Sequence, residues 1–217
     1  MNKKLLSVVA GTCLFANLAM ADERSGFFIG VDAALMNAKV KADLKHSKSG
    51  KNSTFNGDIS QTIPVLDLKL GYRLNESHRI YFTYAGSDDF NDFIKTPALY
   101  IEGDFSTQKF LLGYDFTPKL FTNTRAVLGV YSGYAKTDVD LKTSFLTLSQ
   151  NYDGFVYGAK LGAIYEITPH NEIELGVKAE QIHYNTKNFY ENQNGSSNFY
   201  DPKETNYSAY LGYAYKF

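Results

Sequence analysis

The sequence predicts an all-β fold, eight antiparallel strands in up-and-down order closed into a barrel, and three observations carry that prediction. Apolar and polar residues alternate with period two in eight segments between residues 29 and 217. In each segment the apolar row carries no charge, and the row between its members carries the charged residues. The connections alternate short and long, as hairpins do when one end of a sheet is tight and the other decorated.

A separate element precedes the strands. Lys3 and Lys4 form a positive start, Leu5 to Leu18 an apolar core, and Ala19-Met20-Ala21 a small-residue cleavage site, with Asp22 opening the mature chain. A membrane anchor needs a longer apolar run, roughly 18 residues or more. The organisation expected is therefore a cleaved secretory signal over 1–21 and one domain over 22–217. Cleavage removes two lysines and no acid, leaving 20 Lys+Arg against 23 Asp+Glu. That balance argues against general nucleic-acid binding. Mean hydropathy is −0.29. The single cysteine, Cys13, lies in the signal; a lipoprotein would want Leu where Ala10 stands, so lipidation is not expected. The mature chain has no disulfide framework to lean on.

The strands follow in order. Ile29, Val31, Ala33 and Leu35 alternate with Gly30, Asp32 and Ala34. Leu66, Leu68, Leu70 and Tyr72 alternate with Asp67, Lys69, Gly71 and Arg73. Ile80, Phe82 and Tyr84 oppose Arg79, Tyr81 and Thr83; Phe110, Leu112, Tyr114 and Phe116 oppose Lys109, Leu111, Gly113 and Asp115. Ala126, Leu128 and Val130 oppose Arg125, Gly129 and Tyr131. The longest run, Phe155 to Ile167, alternates with Gly158, Lys160, Gly162 and Glu166. Ile173, Leu175, Val177 and Ala179 oppose Glu174, Gly176, Lys178 and Glu180. Ala209, Leu211, Tyr213, Tyr215 and Phe217 oppose Ser208, Tyr210, Gly212, Ala214 and Lys216. Short turns are expected at 75–78, 118–123 and 168–171, and long loops at 44–60, 86–105, 137–152 and 185–204, with strand running on past the membrane in places such as 98–101.

A water-soluble sandwich would bury the apolar row and expose the charged one. Here the apolar row is bracketed by aromatics. Tyr72, Phe116, Tyr165 and Phe217 lie toward the tight turns, and Tyr84, Phe110, Tyr134, Phe155 and Tyr207 toward the long loops. Such girdles belong at the headgroup level of a transmembrane barrel. Closure follows from backbone accounting, because an open edge in lipid leaves unpaired N–H and C=O groups at several kcal/mol each. The charged row then faces a lumen barely wide enough for side chains. Its 8 basic and 6 acidic members, with glycines between them, predict a packed plug of ion pairs drawn from Asp67, Lys69, Arg73, Asp115, Lys160, Glu166, Glu174, Lys178 and Glu180.

The chain resembles the small bacterial outer-membrane β-barrels, the group of the OmpA transmembrane domain, OmpX and the opacity proteins. The resemblance rests on the signal, on Leu-Gly-Tyr at 70–72, 112–114 and 211–213, and on Tyr213-Ala214-Tyr215-Lys216-Phe217. It implies residence in the outer membrane of a Gram-negative cell and an insertion signal in Phe217, Tyr215 and Tyr213 read by the barrel-assembly machinery; a peptidoglycan-binding domain such as OmpA carries after its barrel is not expected, since strand eight is the last. It is weak for activity, since adhesins, structural proteins and a few enzymes share the architecture.

The search for chemistry expects no enzyme, no metal and no cofactor. His78 and His170 fall in short turns and read as solvated, His46 sits among lysines, and His183 lies at an outer rim with Asn185 where a lipid A deacylase would want Ser. No metal-ligand spacing or nucleophile elbow occurs. Lys39, Lys41, Lys45, Lys48 and Lys51 cluster in the first long connection, within reach of lipopolysaccharide phosphates or another partner. The function expected is structural or surface-interacting (adhesin-like) through four extracellular loops, with outer-membrane lipid, lipopolysaccharide and host or cell-surface ligands as partners. The alternatives are a narrow channel for small solutes and an outer-membrane lipid-modifying enzyme.

Overall fold

The computed structural model describes residues 25–48, 51–96, 99–143, 147–185, 188–192 and 195–217, and describes side chains over 25–39, 60–87, 106–138, 151–185 and 203–217. Ten strands appear in chain order: β1 (Gly26–Lys48), β2 (Lys51–Asn75), β3 (His78–Thr96), β4 (Leu99–Phe116), β5 (Lys119–Phe121), β6 (Thr124–Thr143), β7 (Thr147–Glu166), β8 (Asn171–Tyr184), β9 (Asn188–Asn192) and β10 (Gly195–Lys216). Eight form the wall in the order β1-β2-β3-β4-β6-β7-β8-β10, and β10 pairs back with β1 to close it. Every pairing is antiparallel, and β5 and β9 are short fringes on β6 and β10. Closure satisfies the backbone groups that lipid cannot.

The molecule is inside-out. Leu112, Leu35 and Leu175 on the outward row are 67%, 64% and 63% exposed, while Asp115 and Lys160 on the inward row are 0% and 2% exposed. Among the described residues no helix is long and apolar enough to cross a membrane; the strands do the crossing. The tight turns have local causes. Asn75 Oδ1 accepts from Ser77 N, and Thr168 Oγ1 accepts from the backbone N–H groups of His170 and Asn171, so short polar side chains shape both turns.

The long connections differ from expectation. The described parts of 44–60, 86–105, 137–152 and 185–204 are largely strand: β1 reaches Lys48 and β2 starts at Lys51, β3 reaches Thr96 and β4 starts at Leu99, β6 reaches Thr143 and β7 starts at Thr147, and β9 lies within the last stretch. About 9–11 tilted residues cross a bilayer, yet β2 has 25 residues and β10 has 22. The surplus projects beyond the membrane. Its sequence hid it because Ser, Asn, Asp, Thr and Lys occupy both faces once neither touches lipid, and the period-two contrast vanishes while the ladder continues.

The inward row is fitted by pairing large residues with glycine across strands. Phe28 lies opposite Gly71, Tyr81 opposite Gly113, Tyr131 opposite Gly158 and Tyr210 opposite Gly176. At Gly113 and Gly176 a Cβ would run into the Tyr81 and Tyr210 rings, so those positions admit no side chain while the rings lie there.

Candidate functional site

Two parts of the molecule bear on function, the lumen and the outward rim where the wall leaves the membrane. The lumen's inner and middle levels are held by charge. Asp115, on β4, binds Arg79 at 2.7 Å and Lys160 at 2.9 Å. Glu174, on β8, takes the same two cations at 2.5 and 3.1 Å and accepts the Tyr210 hydroxyl at 2.6 Å. Asp32 binds Lys69 at 2.6 Å and Lys178 at 2.8 Å, and Lys178 also reaches Asp67 at 2.5 Å. Nearer the tight turns, Glu172 pairs with Arg73 at 2.6 Å and Lys216 at 3.2 Å, and Arg125 with Glu166 at 2.7 Å. Tyr81 donates to Asp115, and the Lys160 and Lys178 ammoniums lie 4.6 and 4.4 Å from the Tyr81 and Tyr210 ring centres.

The outer level is different. Ala34, Met36, Ala38, Val65 and Ala85 form one buried apolar cluster, and Leu111, Ala135, Val156 and Ile182 join Tyr131 in a second. Lys109 pairs with Glu180 across this level at 2.5 Å, with Asn206 donating to Glu180 and Glu204. Tyr184 donates to Glu204 at 2.6 Å. Two voids among these side chains measure about 30 and 10 Å³, room for a water or two.

Each residue of the expected plug thus has a located partner. Glu174 and Glu180 serve Arg79, Lys160 and Lys109, whereas Arg73 turns to Glu172 and Lys178 to Asp32 and Asp67. Sequence reasoning missed two inward carboxylates. Glu172 stands one step before the alternating run of β8, and Glu204 lies in a stretch read as loop; both are buried. With them the described inward charges become eight and eight, and the interior is neutral. The signal for Glu172 was its parity with Glu174.

The two turn histidines have aromatic partners as well as solvent. His78 stacks on Tyr114 and lies against Phe116, with Nδ1 2.5 Å from the Tyr114 hydroxyl. His170 stacks on Tyr215, with Nδ1 3.0 Å from the Lys216 carbonyl. His170 is exposed and His78 partly exposed beside their turns, and each also packs on the inner aromatic girdle. The side chains of His46, Lys41, Lys45, Lys48 and Lys51 lie outside the described ones, while Lys39 is exposed on the outward row of β1. Tyr213 donates to Asn171, Tyr215 meets Phe217 edge-on at 5.1 Å, and Phe217 N bonds Phe27 O at 3.0 Å. Among the described residues no group of three or more His, Cys, Asp or Glu could hold a metal ion.

The barrel geometry has solved counterparts. Neisserial surface protein A is 18% identical, with a TM-score of 0.58 and coverage of 89% of this chain and 99% of that one. OprG of Pseudomonas aeruginosa is 16% identical, with a TM-score of 0.53 and coverage of 89% and 97%. Ail, the attachment invasion locus protein of Yersinia pestis, in complex with the heparin analogue sucrose octasulfate, is 15% identical, with a TM-score of 0.51 and coverage of 88% and 99%. At these identities the likeness is one of fold. None of the curated proteins matches the chain. The profile described as Outer membrane protein beta-barrel domain matches residues 6–217. Because that match runs through all eight wall strands, the chain belongs to the outer membrane protein beta-barrel domain family, and its place is the outer membrane.

Proposed function

We propose that this protein is a sealed outer-membrane barrel that works as a surface-interaction, adhesin-like protein through its four outer hairpins. The observation that carries the reading is the lumen. Its described charges are equal and opposite, and two voids in it measure only about 30 and 10 Å³, so side chains fill the interior and the working surface is the exterior. The long hairpins supply that surface, since strands such as β2 far exceed the length a bilayer needs. Lys39, Lys41, Lys45, Lys48 and Lys51 on the first hairpin suit polyanionic partners, either lipopolysaccharide or a sulfated host glycan. The complex of Ail with a heparin analogue makes such a polyanion a reasonable first probe.

Residues 1–21 act in this reading as the export signal. Tyr213, Tyr215 and Phe217, which join the last wall strand to β1 and the inner girdle, act as the assembly-machinery signal.

The test has two arms. In planar bilayers the purified protein should give no stable conductance; large, lasting openings would revive the channel. Cells displaying it should bind sulfated polysaccharide or a host-cell surface, and cutting the four outer hairpins back to short turns should abolish binding while the barrel still folds. Binding that survives the trimming would sink the hairpin reading.

A further inference from the structure

Resting on the hairpin-surface part of that reading, we infer that the wall beyond the membrane divides into a basic and an acidic sheet, and that it docks end-on with a second copy of this chain, basic sheet on acidic sheet. Register divides the wall. β2 and β3 pair from Asn75–His78 out to Leu66–Gly86, and among the described residues no pair of theirs lies beyond. β7 and β8 pair out to Gly154–Tyr184, with one further bond from Asn185 N to Asp153 O. The other ladders run on. β1 stays paired with β2 to Lys48–Lys51 and with β10 to Ser47–Ser196. β4 stays paired with β3 to Thr96–Leu99 and with β6 to Ile101–Thr143, and β6 with β7 to Lys142–Thr147. Past the membrane the ring therefore becomes two sheets on opposite sides of the mouth, β9-β10-β1-β2 and β3-β4-β6-β7.

Charge selects the partner. Over 39–65 and 186–203 the first sheet carries seven Lys against four Asp and Glu, net +3. Over 87–107 and 136–153 the second carries three Lys against eight Asp and Glu, net −5. Pairs inside a sheet, such as Lys41 opposite Asp58 or Glu102 opposite Lys142, cancel in that count and leave the net. Eight tilted strands spaced about 4.8 Å enclose a ring about 16 Å across. That is about two Debye lengths at physiological salt, so the two sheets of one molecule do little to neutralise each other. A second copy does it by contact. Two copies facing each other about a twofold axis lying between their membranes set each basic sheet on the other's acidic one. The contact is isologous, closes after two chains and uses both sheets of each. Turning one copy half round its barrel axis sets like on like, which costs several kcal/mol, so charge also fixes the orientation.

The test uses the full barrel, one copy per phosphatidylcholine nanodisc, so that copies cannot pair side by side in one membrane. Sedimentation velocity reads single against paired discs, and gel migration confirms that each barrel is folded. Native discs should pair at low salt and separate at about 0.5 M salt. Lys45→Glu, Lys48→Glu and Lys51→Glu together turn the basic sheet from +3 to −3, since each reversal moves the count by two. Asp88→Lys, Asp89→Lys, Asp92→Lys and Asp104→Lys together turn the acidic sheet from −5 to +3. Each variant alone should pair about a hundredfold more weakly than native. Mixed one to one, the two variants should pair at least as tightly as native discs, because one is then negative on both sheets and the other positive on both. Native discs that stay single, a variant that pairs with itself as before, or a mixture that stays apart would overturn the inference. Binding of sulfated polysaccharide is read separately, and the aspartate variant should keep it. Loss of disc pairing with that binding intact strikes this inference alone, and the converse strikes the polyanion reading alone.

Discussion

The inner and outer levels of the lumen are both closed, by opposite means. The inner and middle levels use charge: Arg79, Lys160, Asp115 and Glu174 share four contacts, and Lys69, Lys178, Asp32 and Asp67 share three. The outer level uses volume, with Met36, Val65, Leu111, Val156 and Ile182 around the Lys109–Glu180 ion pair. A narrow barrel needs both. Charges desolvated by the wall hold one another only if each is matched, so the ionic level is all-or-none. Apolar packing has no such condition and loses stability in proportion to the volume removed.

The largest effect should come from breaking the ionic level at its centre. Glu174→Gln leaves Arg79 and Lys160 sharing Asp115, with Glu172 3.9 Å from Arg79 as the next carboxylate, at 0–3% exposure of their side chains. A cost of about 3–5 kcal/mol is expected from an uncompensated buried charge. Urea titration of the folded and unfolded gel bands measures it, and added salt should not restore it, because buried pairs are poorly screened. A loss that salt recovers would mean that the level is wet.

The outer level should yield by less and differently. Ile182→Ala removes a side chain that is 0% exposed and should cost about 2–3 kcal/mol through the cavity left behind. The barrel should stay non-conducting, because the charged level beneath remains. Conductance in this variant and none in Glu174→Gln would reverse the assignment of which level seals the lumen. Between the levels, Gly113→Ala sets a methyl against the Tyr81 ring and should cost about 1–3 kcal/mol of overpacking. Adding Tyr81→Ala should recover part of that cost, and a double-mutant cycle reads the coupling. Strict additivity would mean that the ring already moves aside.

Much of this was legible in sequence because lipid imposes a sharp contrast. Leu35, Leu112 and Leu175 face hydrocarbon while Asp32, Asp115 and Glu174 on the alternate row cannot, so parity assigned each inward charge within the crossing segments. Legibility failed where the contrast failed. Glu204 sits where both faces of β10 are polar, and Glu172 stands at the edge of a turn. The apolar outer level was hidden for the complementary reason: Ala34, Met36, Val156 and Ile182 make inward and outward rows alike. Which cation meets which carboxylate depends on the stagger of strands around the ring, as when Arg79 of β3 meets Glu174 of β8, and no local pattern encodes that distance.

The smallest effect should fall at the inner mouth, where the ionic level meets water. Arg125 pairs with Glu166 at 2.7 Å, but their side chains keep 11% and 20% exposure, against 1% and 0% for Lys160 and Asp115. Arg125 also donates to the Glu76 carbonyl, tying β6 to the first tight turn. Arg125→Gln can keep a hydrogen bond to that turn and lose only the charge, so a cost of about 0.5–1 kcal/mol is expected. Unlike the Glu174 substitution, this one should lose its effect in high salt, since native and variant converge once the exposed pair is screened. The two responses to salt, measured in one urea series, locate the boundary between the part of the lumen that water reaches and the part it does not. A salt-insensitive loss of about 3 kcal/mol or more at Arg125 would move that boundary to the mouth itself and make the whole charged column one desolvated unit.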